Sequence, residues 1–240
     1  MKNFKKILLT MAMTMALGTS AFAASGFEFI LNVPLGIGVN IPPKSLKDAG
    51  AKGKVGFDAG VAAQLGYMFQ VTSGFGISAL VELSYAHDSF VYSIVEDLYT
   101  EYPDGSYSTG SAEMFYSYAL DSFQIGLLPK FNIGAFAIGI GGGVKVPLGG
   151  KTASWFGGGS KDTYKLSTSD ALHLFTPPVI GYVKATFDYS IFFLDNLALN
   201  VGLYLGGDIA KQDDDGLGGK ITTSSFDVGV ELGLKFGPKA

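Results

Sequence analysis

Bulky apolar residues alternate with small or polar ones in run after run of this chain, and that alternation constrains the fold most. Successive side chains of a β-strand point to opposite faces, so residues two apart share a face. From Phe27 the odd positions are Phe27, Phe29, Leu31, Val33, Leu35, Ile37 and Val39. The even positions are Glu28, Ile30, Asn32, Pro34, Gly36, Gly38 and Asn40. Similar runs lead with Phe57, Phe75, Phe136, Leu197 and Phe226, and another centres on Val183 to Tyr189. A further strand ends in Phe123, Ile125 and Leu127. Its upstream apolar residues Tyr116, Tyr118 and Leu120 fall on the other parity, which predicts a bulge near Asp121. Eight strands of about ten residues or more follow, each long enough to cross a bilayer when tilted.

The N-terminus explains where such strands are used. Lys2, Lys5 and Lys6 precede an apolar run from Ile7 to Leu17 and a small-residue exit at Ala21-Phe22-Ala23. This order predicts a secretory signal peptide over 1–23, cleaved to leave a single domain over 24–240. Its loss removes three lysines and takes the formal net charge from −4 to −7. An acidic exported chain lacks the basic footprint of a nucleic-acid binder. No cysteine is present, so disulfides, thiol chemistry and thiolate metal sites are excluded. Apolar residues make up 48%, yet no later stretch approaches the length of a spanning helix.

The expected architecture is all-β: an eight-stranded antiparallel up-and-down transmembrane barrel, with ten strands possible if 87–113 adds a hairpin. Short turns fall near 72–74, 131–135 and 190–196. Long polar loops are expected near 41–54, 87–113, 149–175 and 209–222. Short turns on one rim and long loops on the other are the outer-membrane pattern, and an even strand count puts both termini in the periplasm. Eight strands enclose little volume, so the Gly- and Ser-rich face belongs inside and the bulky face outside. The inner face then holds a polar network of Glu28, Asp58, Gln64, Glu82, Lys145, Lys184, Asp188, Glu231 and Lys235. Glu28 and Lys235 are expected to meet in the lumen where strands one and eight close the barrel. Phe27, Phe69, Phe75, Phe187, Tyr189 and Phe236 fall near strand ends, as an interfacial girdle would.

With a signal and eight strands in place, the chain resembles the small outer-membrane barrels of the OmpA-transmembrane, OmpX, OmpW and opacity-protein type. The likeness covers the mature chain and rests on architecture. It implies outer-membrane lipid, periplasmic chaperones and the barrel-insertion machinery as partners, with an extracellular ligand or host surface beyond them. The C-terminal Val230, Leu232, Leu234 and Phe236 pattern departs from a terminal aromatic signal, because Gly237-Pro238-Lys239-Ala240 follows it.

Chemistry is sparse. The two histidines, His87 and His173, sit near loop ends, and Ser84 and Asp88 flank the first. No full nucleophile, base and orienting group is evident, so no catalytic residue is assigned. Asp213-Asp214-Asp215-Gly216 departs from calcium-loop spacing and reads as a solvated acidic loop. No metal or cofactor is expected. Tyr92, Tyr99, Tyr102, Tyr107 and Trp155 stand as loop recognition candidates, since Tyr and Trp serve well at contact surfaces. The expected function is a non-enzymatic surface protein presenting loops for adhesion, antigenic display or envelope integrity. A narrow solute channel and a lipid-modifying enzyme are the alternatives.

Overall fold

The computed structural model describes residues 25–157, 159–213 and 220–240. The expected signal segment and most of the Asp213-Asp214-Asp215 run lie outside them. The elements run β1 (Gly26–Ile41), α1 (Lys44–Asp48), β2 (Lys52–Thr72), β3 (Phe75–Glu101), β4 (Tyr107–Leu127) and β5 (Lys130–Ile133). They continue with β6 (Phe136–Phe156), β7 (Asp162–Leu166), α2 (Thr168–His173), β8 (Ile180–Leu194), β9 (Leu197–Asp213) and β10 (Lys220–Phe236).

Antiparallel pairing closes these strands into a ring. β1 pairs with β2 and β10, and the circuit runs through β9, β8, β6, β4 and β3 back to β2. β5 continues β4 in one register: Leu127 faces Val81 and Lys130 faces Ser78 on β3. The gap between them holds Pro129, which has no N–H to donate. The ring therefore has eight members, and a closed ring leaves no open edge for lipid to face. β7 stands outside this count and pairs β6 above the point where β6–β8 pairing stops.

The turns at Ser73-Gly74, Gly134-Ala135 and Asp195-Asn196 share one rim with the described termini. Gly74 adopts φ +80°, a left-handed conformation that L side chains rarely hold. Around the barrel wall, outward side chains of every strand are apolar and exposed, among them Leu35, Phe57, Ile125, Ile140, Val183, Leu203 and Val230. Water would not tolerate so continuous a belt, whereas lipid requires it. Aromatic pairs lie outside near the short-turn rim: Phe29 on Phe236, Tyr67 on Phe69 and Phe136 on Tyr189, with ring centroids 6.0, 4.8 and 4.7 Å apart.

Two sequence expectations need correction. The stretch 87–113 is no loop: β3 runs to Glu101 and β4 begins at Tyr107, so only 102–106 turns. Strand likewise covers much of 149–175 and the described ends of 209–222. Polar composition suggested loops because these strands stand beyond the lipid, where an outward face must suit water. The second correction concerns the bulge. β3 and β4 pair without a break from Val81↔Leu127 to Glu101↔Tyr107. The irregularity lies between β4 and β6, where Asp121 faces Gly149 and Ser122 faces Pro147, leaving Leu148 extra on β6. Tyr116, Tyr118 and Leu120 keep inward parity with Ser122 and Gln124; no slip is needed to bury them.

Candidate functional site: a filled lumen beneath an extended rim

Inward positions of the belt region build a polar column across strands far apart in sequence. At the short-turn end, Lys235 of β10 reaches Glu28 of β1 at 2.6 Å. Lys130 of β5 binds Asp188 of β8 at 2.8 Å, with side chains only 1% and 2% exposed. Asn200 donates to Asn32 at 3.2 Å, and Asn32 donates to Glu231 at 2.9 Å. In the next layer Glu82 accepts from Gln64, Gln124 and Lys184 at 2.8, 2.7 and 3.1 Å. Lys184 also pairs with Glu231 at 2.5 Å. Above it, Lys145 of β6 bridges Asp88 of β3 and Asp208 of β9 at 2.9 and 2.8 Å. Buried ion pairs gain little net stability, but removing one partner strands the other charge at about 3–5 kcal/mol.

An apolar cap follows. Phe90, Leu120, Ile180 and Ala210 come from four strands. The β6–β8 connection adds Leu166 and Phe175, with Tyr118 and Leu174 packed alongside. α2 helps turn this connection. Its N-cap Ser167 accepts from the Asp170 N–H, and the Asp170 carboxylate accepts from the Ser167 N–H, a reciprocal capping box. The Thr176 N–H then donates to the Lys211 carbonyl at 2.8 Å, tying the segment to β9.

Beyond the cap the strands continue as a rim. Tyr92 stacks on Tyr116 at 5.2 Å, and burial pushes the Tyr92 hydroxyl up to about 12. The β3–β4 hairpin carries Tyr99 and Tyr107, 73% and 68% exposed, with Tyr102 beside its turn. Trp155 lies on β6, stacked on Phe115 at 5.3 Å and 8°. Lys161 sits over Trp155 and Lys54 over Phe115, at 4.6 and 5.2 Å. Lys54 also pairs with Glu113, and with the Ser93 hydroxyl it holds that carboxyl below its usual range.

All nine residues assigned to the polar network have their side chains in the lumen column, eight of them buried and Lys184 with its side chain 10% exposed. Seven polar residues of the column were not in the assigned set: Asn32, Asp88, Gln124, Lys130, Asn200, Asp208 and Asp227. Asn32, Gln124, Asn200, Asp208 and Asp227 sit at inward parity within recognised runs, and that parity was the signal available; Lys130 fell between a recognised run and the turn expected near 131–135, and Asp88 fell in the expected 87–113 loop. Of the recognition candidates, Tyr99, Tyr102 and Tyr107 lie at the hairpin end. Tyr92 and Trp155 are instead held in ring stacks on strands. His87 pairs outward with Asp121 at 2.8 Å, whereas Ser84 and Asp88 are buried inward, so those three do not assemble. His173 bonds the Ser169 carbonyl at 2.6 Å. Among the described residues no three ligating groups stand close enough to hold a metal ion directly.

No family model matches the chain, and no curated protein matches it. Among solved structures it is similar to Ail, the attachment invasion locus protein of Yersinia pestis, in complex with the heparin analogue sucrose octasulfate. That match has 11% identity over 88% of this chain and 99% of that one, with a TM-score of 0.35. The outer membrane protein OprG of Pseudomonas aeruginosa matches at 16% identity over 91% and 99%, TM-score 0.33. Neisserial surface protein A matches at 11% over 87% and 97%, TM-score 0.23. By its strand pairing, its closure and its apolar belt, the chain is an eight-stranded antiparallel transmembrane β-barrel with the architecture of the small outer-membrane barrels.

Proposed function

We propose that this chain is a non-enzymatic outer-membrane surface protein that works through its extracellular rim, with both termini in the periplasm. The observation that carries the reading is the contrast between a lumen closed by an ion-paired column and an apolar cap, and a β3–β4 hairpin standing free above it. A closed lumen disfavours steady conduction. An exposed hairpin bearing tyrosines favours contact with a partner.

The charge of the hairpin narrows the partner. From Val95 to Glu113 it carries Glu96, Asp97, Glu101, Asp104 and Glu113, and no lysine. Such a tip attracts a basic protein surface and repels a sulfated or phosphorylated polymer. The test uses cells displaying the full chain or a variant with Leu98–Gly110 replaced by a two-residue turn. Binding to a panel of basic and acidic matrix proteins is measured at low and high salt. Salt-sensitive binding to basic partners, lost on trimming, supports the reading. Binding that survives trimming, or a steady open current in planar bilayers, overturns it.

A further inference from the structure

The uppermost lumen layer is out of charge balance. Asp58, Asp88, Asp208 and Asp227 line one cavity, and Lys145 is the ammonium that bonds into that group. Lys184 also reaches the cavity, but it is held by Glu82 and Glu231 of the layer below. Lys145 in turn is committed to Asp88 and Asp208. Asp58 and Asp227 have no lysine partner among the described residues.

Two carboxylate oxygens here lack any partner. Asp58 accepts from the Ser89 N–H through Oδ1 at 3.1 Å, while its Oδ2 is buried and unbonded. Asp88 Oδ2 is likewise buried and unbonded. Asp58 is 6% exposed and Asp88 8%, and both face the cavity. A buried anionic oxygen without a donor or counter-ion is strongly unfavourable. The backbone brings two of these carboxylates together. A Cβ placed on Gly38 would stand 2.7 Å from Asp227 Oδ1 and 2.8 Å from Asp58 Oδ2. The two oxygens therefore lie close to one another beside Gly38, in room that any larger residue there would take.

We propose that this cavity binds a hydrated divalent cation of the Mg²⁺ class, bridged by Asp58 and Asp227. The cavity is about 70 Å³. A water needs roughly 10–15 Å³ of such space, so several fit. No three carboxylates converge on one point, which excludes a dry cage of protein ligands. Mg²⁺ suits the remaining arrangement, because it gives up water reluctantly and is held through one or two carboxylates. Its charge also offsets the excess of four carboxylates over one ammonium. The layer lies under the cap of Phe90 and Leu120, so the ion would finish the polar column from above.

The test uses Mn²⁺ as a paramagnetic substitute. The full mature chain is refolded in zwitterionic detergent with Mn²⁺ present, and folding is checked by the band shift on boiling. Electron paramagnetic resonance then counts bound ions. The expected result is one Mn²⁺ per chain, displaced by excess Mg²⁺ and weakened at least tenfold in Asp58→Asn/Asp227→Asn. Neutralising Asp213, Asp214 and Asp215 should leave it in place. If the double variant fails to fold, Asp227→Asn alone keeps the Ser89 bond to Asp58 and reads the same loss. Gly38→Ala, which changes no charge but fills the gap, should also weaken binding. No bound ion in the folded chain, or equal binding with Asp227→Asn, overturns the proposal; in that case protons neutralise the layer, and a carboxylic-acid band near neutral pH would show it.

Discussion

Below the cap the barrel is apolar outside and polar inside; at and above the cap the interior turns apolar and the outer face becomes mixed, with no change in strand parity. On β3 the inward side chains run Glu82, Ser84, Ala86, Asp88, then Phe90 and Tyr92. On β4 they run Gln124, Ser122, then Leu120, Tyr118 and Tyr116. The outward side chains change in the opposite sense, from Phe123 and Tyr85 to Asp121, His87 and Glu113. Two solvents act on one continuous sheet. Lipid takes the bulky side chains off the lower lumen, and water returns them to the interior higher up. The lower half must then hold its core by paired charge, the upper by burial of hydrocarbon.

That contrast can be broken from either half. The largest effect is expected from Lys145→Met, which leaves Asp88 and Asp208 facing each other unpaired. About 3–5 kcal/mol should be lost, read as a lower urea midpoint for refolding in detergent. Next comes Leu120→Ala in the cap, where the residue is fully buried. A loss of about 2–5 kcal/mol is expected, unaccompanied by any change in the polar column. A loss below 1 kcal/mol would mean that the cap is loosely packed and that the upper half is not a hydrocarbon core.

The outer surface sharpens the boundary. Ile140, 61% exposed on β6, sits within the belt. Ile140→Lys should cost about 2–4 kcal/mol in a bilayer. Val95→Lys, outward on β3 beyond the belt, should stay within about 0.5 kcal/mol. Equal costs would place both positions in the same solvent and erase the distinction. The smallest effect concerns Glu113. Its carboxyl is held below the usual 4.5 by Lys54 and Ser93, so the contact persists through neutral pH and weakens only as pH falls through the depressed value. Because Lys54 lies over Phe115 and Phe115 over Trp155, the single tryptophan should report that step by fluorescence. Glu113→Gln should remove it.

The belt was legible because its rule is local: strand side chains alternate, and Phe27 to Val39 or Leu197 to Leu205 display that alternation without reference to anything else. Leu120 shows where the rule ran out. Its hydrophobicity was readable, but whether it faced lipid or the lumen depended on its height in the wall. A bulge near Asp121 was inferred to explain its parity; the register shift there leaves its extra residue on β6, and β4 keeps its parity while the solvent outside it changes. Asp88 suffered the same fate: it lay beside His87 at the start of an expected loop and was given no role, whereas parity sends it inward to Lys145.

Sequence alone determined the strand parity of the lipid belt and the Glu28–Lys235 closure, since both follow from a period of two and a chain that must end where it began; it left eight or ten strands open, and the pairing closed the ring at eight. Only the tertiary structure decided which charges meet. Lys145 lies 57 residues from Asp88 and 63 from Asp208, and no local pattern encodes that register across the lumen. It also decided that Leu166, at the end of β7, and Phe175, from the connection that follows α2, close the top. Pairing across a barrel is set by ring order and stagger, which are properties of the closed sheet and not of any one strand.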